Sequence, residues 1–183
     1  MTSLIASPFL IFMPFPFDRW TLSRARASRS IATKGPLPER KTLYRSLCLS
    51  IFLVAIFKPT SLVAITAGKE AAKLAGGECY AAVLGKGIDD LASEVAEYGV
   101  KKVFAVDDAI LEHYMSGCYA AAVAQIVKEK GIDIVLATAT AAGKDLLPRV
   151  AALCGAGMVS EIVAINADGT FQRPTYAGSA MAT

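Results

Sequence analysis

Histidine is nearly absent from this 183-residue sequence: His113 stands alone, and there is a single tryptophan, Trp20. A lone imidazole excludes the two-histidine H-E-x-x-H zinc site, and no G-x-S-x-G elbow offers a nucleophilic serine. Neither hydrolytic nor metal chemistry with its own nucleophile is expected. The four cysteines, Cys48, Cys79, Cys118 and Cys154, form no C-x-x-C pair. They suggest neither a zinc site nor a redox dithiol, and read as small buried thiols of a reducing compartment. Aromatic residues make up only 8% of the chain.

No apolar run is long enough to span a bilayer, which takes roughly 20 residues as a helix. Residues 1–17 are apolar but broken by Pro8, Pro14 and Pro16, and Leu47 to Phe57 is an eleven-residue run. No membrane span is expected. The second run suits a first, central strand buried on both faces.

A basic surface is lacking as well, although the formal charge is +3. Residues 1–46 carry eight Lys/Arg against Asp18 and Glu39, a net of +6; the remainder carries 19 − 8 = 11 against 16 − 2 = 14, a net of −3. The positive excess lies outside the expected domain, so nucleic-acid binding is not expected. Arg19 to Lys34 is rich in Arg and Ser and free of acids, the composition of an organelle transit segment; an overextended reading frame would look the same. Residues 1–46 are therefore expected to be a disordered or targeting leader, and 47–183 the folded domain. The location is the mitochondrial matrix if the leader is genuine, or the cytoplasm if the protein is bacterial.

What is abundant is small apolar residues: 54% of the chain is hydrophobic and the mean hydropathy is +0.46. Strand and helix patterns alternate. Pro59 to Ser61 start a helix that Gly76 and Gly77 stop; Cys79 to Leu84 is a strand; Ile88 to Tyr98 is a helix stopped by Gly99. Lys102 to Val106 is a strand, Cys118 to Lys130 a helix stopped by Gly131, and Ile132 to Thr138 a strand. The next helix is expected to begin near Gly143 to Asp145, because Pro148 is tolerated best in a first turn. Successive strand-helix units predict an open, mostly parallel sheet with helices on both faces, a Rossmann-like α/β fold. Glu161 to Asn166, a turn at Ala167 to Thr170, and Phe171 to Tyr176 add a C-terminal β-hairpin. The sequence then stops at AGSAMAT with no closing helix, as a truncated domain would.

Three groups of residues invite a functional reading. Gly85-Lys86-Gly87 lies between a strand and a helix but has neither dinucleotide nor P-loop spacing, and reads as a turn. Thr138, Thr140, Gly143 and Lys144 lie where a strand's C-terminal end meets a helix N-terminus, the usual ligand crevice of such sheets. They could hold an anion, or Thr140 and its neighbours could simply cap the helix. Asp107, Asp108, Glu112 and His113 read as capping and dipole compensation rather than acid-base chemistry.

Several stretches are familiar. GKDLLPRVAAL at Gly143 to Leu153, SEIVAI at Ser160 to Ile165 and RPTYAGSAMAT at Arg173 to Thr183 resemble the α subunit of electron transfer flavoproteins. KPTSLVAITAGKEAAKLAGGE at Lys58 to Glu78 and GVKKVFAVDDAILEHY at Gly99 to Tyr114 resemble the N-terminal domain of the same family. The resemblance implies a heterodimer with a β subunit that shares one FAD and carries electrons from dehydrogenases, such as those oxidising acyl-CoA, to a membrane quinone oxidoreductase. In that family the flavin is held mainly by a C-terminal domain, so this chain alone is expected to bind no FAD and to have no catalytic residue. Lys144, Arg149, Arg173 and Tyr176 are the expected partner-facing positions. The sequence departs from the family where Ile56-Phe57 runs into Lys58-Pro59 without the usual acidic, glycine-containing loop. A stand-alone AMP- or ATP-binding module of the stress-protein type, using Thr138 to Lys144, is the alternative.

Overall fold

A computed structural model describes residues 3–13, 45–51, 59–166 and 170–183. Among them the strands are β1 (Ser3–Met13), β2 (Arg45–Ile51), β3 (Glu78–Gly85), β4 (Lys102–Asp107), β5 (Ile134–Thr138), β6 (Gly157–Ile165), β7 (Phe171–Thr175) and β8 (Ala180–Ala182). The helices are α1 (Pro59–Ala75), α2 (Asp89–Glu97), α3 (Ser116–Lys130) and α4 (Ala141–Cys154).

Glycine chemistry sets most of the helix ends. α1 is followed by Gly76 at φ 66°, and α3 and α4 are capped by Gly131 at φ 60° and Gly155 at φ 66°. A side chain is strained in this left-handed region, so glycine is favoured where the helix unwinds. The α2 helix has acids in its first turn, Asp89 and Asp90, where they oppose the positive end of the helix dipole.

Side-chain alternation then sorts the layers. On β3, Ala82 and Leu84 face one side of the sheet, packing with Tyr119, Val123 and Val127 of α3 and Leu146, Leu147 and Val150 of α4. Ala81 and Val83 face the other side, against Ile65 of α1 and Leu91 and Val95 of α2. Ala64, Ala67 and Ala71 line α1 where it covers Ile134, Leu136 and Ile162. Both faces of β3 and β5 are buried, as expected for strands with helices on each side.

The strand order is β4-β3-β2-β5-β1-β6-β7-β8. β2, β3, β4 and β5 are parallel, with β2 and β3 in register over seven consecutive pairs from Arg45↔Glu78 to Ile51↔Leu84. The mostly parallel sheet of the sequence reading is corrected here: the sheet is mixed. β1 runs antiparallel between β5 and β6, and β6, β7 and β8 form an antiparallel meander. Local alternation cannot reveal strand direction across the sheet, which is why β1 changes the class of the sheet without changing the helical units around it. Ser3–Met13 falls within the stretch read as a leader; residues 14–44, with the Arg/Ser-rich segment, lie outside the described residues.

Two boundaries also move. The first parallel strand, Arg45–Ile51, starts two residues ahead of the expected Leu47; residues 52–57 of the expected Leu47 to Phe57 lie outside the described ones. α4 begins at Ala141, ahead of the expected Gly143 to Asp145, and Pro148 sits at its eighth position. Thr140 explains the early start, because its side chain caps the helix and outweighs the constraint from Pro148. The proline ring lies on the exposed side, where loss of its N–H bond to the Lys144 carbonyl is best tolerated.

Among the described residues no helix is long and apolar enough to cross a membrane.

Candidate functional site

Among the described residues, the strand-to-helix turns after β3 and after β5 both have backbone donors taken by the chain's own side chains. At the first, Asp107 Oδ2 accepts hydrogen bonds from Gly87 N at 2.9 Å and Ile88 N at 3.2 Å. A carboxylate thus occupies the Gly85-Lys86-Gly87 turn where a phosphate would sit. Lys86 Nζ lies 2.8 Å from Glu112 Oε2, a contact that holds the Glu112 carboxyl below the ordinary glutamate range. Asp108 Oδ1 accepts from Ile110 N at 2.9 Å and caps the 3-10 turn Ala109–Leu111. The acids thus serve as caps and ion-pair partners, and the charge of His113 adds weakly to that of Lys86 on Glu112.

At the second turn, Thr140 Oγ1 accepts from Gly143 N at 3.2 Å, while Thr140 N donates to the Thr138 carbonyl at 2.7 Å. Lys144, on the next turn of α4, leaves this cap and pairs with Glu161 Oε1 on β6 at 2.6 Å. The four residues proposed for an anion are therefore near one another but are already engaged.

Glu161 is a site residue that the sequence reading passed over. Its backbone lies at φ 58°, in a conformation uncommon for a non-glycine residue. The irregularity has a cause in the register: Phe9↔Ile162 is followed by Ile11↔Val159, so two steps on β1 match three on β6. The extra residue is a β-bulge, which re-aims a side chain. Glu161 is turned toward Lys144, and the hydrogen bond and charge of Lys144, aided by the charge of Arg173, hold its carboxyl below the ordinary range. The one sequence signal was an acid directly ahead of the apolar stretch Ile162 to Ile165.

Glu161→Gly and Glu161→Ala separate the backbone from the charge, since both delete the ion pair and only glycine relieves the positive φ. The glycine variant should be the more stable of the two by about 0.5–1 kcal/mol. Urea unfolding of the pair checks this; equal midpoints would refute backbone strain at the bulge.

Beside this pair lies a second cluster. The Tyr114 hydroxyl is 3.1 Å from both the Ala142 carbonyl and Asp145 Oδ2, so its one proton is shared between two acceptors. Arg149 Nε lies 3.7 Å from Asp145 Oδ1. Burial, then the hydrogen bond to Asp145, push the Tyr114 phenol up to about 12. Because the folded value is raised, the associated stability is fully present below the ordinary tyrosine value near 10 and is lost as pH rises through about 12. Absorbance titration of tyrosinate should show a component near 12 that Tyr114→Phe removes; an unchanged titration curve would contradict the assignment.

The remaining expected positions lie on the hairpin. Arg173 is exposed on β7, and Tyr176 is 85% exposed at φ 50°, followed by Ala177 at φ 53°. Lys144, Glu161 and Arg173 therefore form one charged surface, with Tyr176 projecting from the same meander. Among the described residues no group of three or more His, Cys, Asp or Glu side chains is arranged to hold a metal ion.

Comparison with known proteins places these features in a family. Residues 53–183 match the model of the electron transfer flavoprotein domain. The chain is 38% identical over 137 residues to the electron transfer flavoprotein subunit alpha of Pseudomonas aeruginosa, covering 74% of this chain and 44% of that protein. It is 34% identical over 127 residues to the probable mitochondrial electron transfer flavoprotein subunit alpha of Schizosaccharomyces pombe, covering 68% and 36%. A subunit of the lactate dehydrogenase (NAD(+),ferredoxin) of Acetobacterium woodii is 30% identical over 147 residues, covering 78% and 35%. The chain spans less than half the length of each of these curated relatives. By the extent of the family match and by these relatives, the chain belongs to the electron transfer flavoprotein α-subunit family.

Proposed function

We propose that this chain supplies the scaffold and interface part of an electron transfer flavoprotein, joined to a β subunit in a heterodimer. In that assembly electrons pass from flavin dehydrogenases, such as acyl-CoA dehydrogenases of fatty acid β-oxidation, toward the respiratory chain through a quinone oxidoreductase. The chain acts as part of an electron carrier, without an active site of its own.

The observation that carries this reading is the engagement of the turns after β3 and β5. A flavin pyrophosphate needs free backbone donors or cations. Here Asp107 fills the first turn, and Thr140 and Glu161 engage Gly143 N and Lys144 at the second. The described residues thus fit a scaffold better than an FAD cradle, and FAD belongs to the full-length heterodimer. The same engagement weighs against a stand-alone AMP- or ATP-binding module.

Arg173 and Tyr176 face outward from the meander, and Lys144 and Arg149 project from α4 beside it; these four are the proposed contacts with the β subunit. Co-expression with an electron transfer flavoprotein β subunit should yield a 1:1 complex that Tyr176→Ala with Arg173→Glu weakens about ten-fold or more, as expected for an aromatic and arginine contact. No association under conditions where a full-length α subunit forms a complex would overturn the reading. Calorimetry addresses the alternative: micromolar AMP or ATP binding lost in Lys144→Ala would favour the nucleotide module instead.

A further inference from the structure

We propose that the slot between β5 and β6 is a strand-acceptor site, filled in cis by Ser3–Met13, that takes an extended, uncharged, apolar polypeptide strand in its place. This goes beyond the electron-carrier reading and does not depend on it.

The occupant and its walls have different origins in the chain. β5 and β6 lie within the family match, which begins at residue 53, whereas β1, like β2, lies outside it. Residues 14–44, which are 31 in number, separate β1 from β2. The family's matched region therefore supplies the two walls but not the strand between them.

β1 also pairs with β6 less regularly than β3 pairs with β2 and β4. β2 pairs with β3 over seven consecutive residues, and β3 with β4 over six, without a slip. Between β1 and β6 the register breaks twice. From Leu4↔Ala164 to Phe9↔Ile162, five steps on β1 meet two on β6. Pro8 falls in that break, and a proline in a central strand cannot donate to the ladder. The regular part is short: Phe9 to Phe12 paired with Thr138 to Val135 on β5.

The walls define what can replace it. Val135, Leu136 and Ala137 on β5, and Ile162 and Ala164 on β6, are all buried and apolar. Ser3–Met13 contains no charged residue. An incoming charge would be desolvated here without a partner, so an uncharged strand is selected. Removing β1 would strand backbone N–H and C=O groups on two interior strands, each costing about 1–3 kcal/mol if unsatisfied. An emptied slot therefore recruits a replacement through main-chain bonds, as in recognition by strand addition.

The test uses the full chain carrying Phe9→Pro and Ile11→Pro, which cannot present β1 as a regular strand. The probe is a fluorescent synthetic peptide with the Ser3–Met13 sequence flanked by solubilising lysines. The peptide should bind the double variant at least about ten-fold more tightly than it binds the parent chain, where the tethered strand competes at high effective concentration. A peptide with aspartate at the Ile11 position should not bind. Equal binding to variant and parent, equal binding of the aspartate peptide, or no binding to a folded variant would each overturn the proposal.

Hydrogen exchange on the parent chain decides the matter if the variant does not fold. The β1 amides should exchange about 100-fold or more faster than those of β3, the behaviour of a locally releasable segment. Equally slow exchange in β1 and β3 would show an integral strand and overturn the proposal.

Discussion

Leu147→Ala is expected to lower unfolding free energy by about 2–5 kcal/mol, the range for deleting a buried leucine side chain from a core that cannot fully collapse around the gap. Leu147 is 0% exposed, on the side of α4 that meets α3 and the sheet. It belongs to one buried cluster with Tyr119, Val123 and Val127 on α3 and Val135 and Ala137 on β5. A loss of this size is a large fraction of the stability of an ordinary domain. Urea unfolding should show a lower midpoint at unchanged slope. Leu153→Ala, on the same helix but half exposed, should stay within about 0.5 kcal/mol. If the two variants were equally stable, the described packing of α4 would be wrong. The consequence reaches the charged surface, because Lys144, Asp145 and Arg149 all ride on α4.

Asp107→Ala has the second largest expected effect. The carboxylate joins the end of β4 to the turn before α2 through two N–H acceptor contacts. Hydrogen bonds to charged groups are worth about 1.5–3 kcal/mol each in net terms, and the exposure of this one puts the total loss near the lower figure. Asp107→Asn keeps a neutral acceptor and should recover part of it. The alanine variant also vacates the carboxylate that accepts from Gly87 N and Ile88 N. Inorganic phosphate should then raise the melting temperature of Asp107→Ala but not of the parent, since free N–H groups at a helix start attract anions. Equal stability of parent and alanine variant would remove Asp107 from its capping role.

These residues also show where the sequence was legible. Gly99 and Gly131 announced the ends of α2 and α3, because a left-handed residue after a helix has few alternatives to glycine. The adjacent acids Asp107 and Asp108 were readable as caps from position alone, although the donors Asp107 serves, twenty residues earlier, were not. Lys144 was visible as a cation at a helix start, but its partner Glu161 lies seventeen residues on and is aimed by a bulge that depends on β1. Tyr114 and Asp145, separated by 31 residues, meet only through tertiary packing. Pro148 misled in the opposite sense: the local rule for proline was outweighed by the Thr140 cap. The direction and place of β1 had no local signature, since an apolar stretch with a proline does not specify which strands will flank it.

The position of β1 has a consequence for how the protein is made. Phe12 pairs with Val135 and Ser3 with Ile165, separations of 135 − 12 = 123 and 165 − 3 = 162 residues. At ribosomal rates of about 5–20 residues per second, β1 waits roughly 6 to 30 seconds for these partners. During that interval an uncharged, apolar eleven-residue segment has no native place to pair, so completion of the sheet is tied to translation speed and to whatever shields the nascent chain.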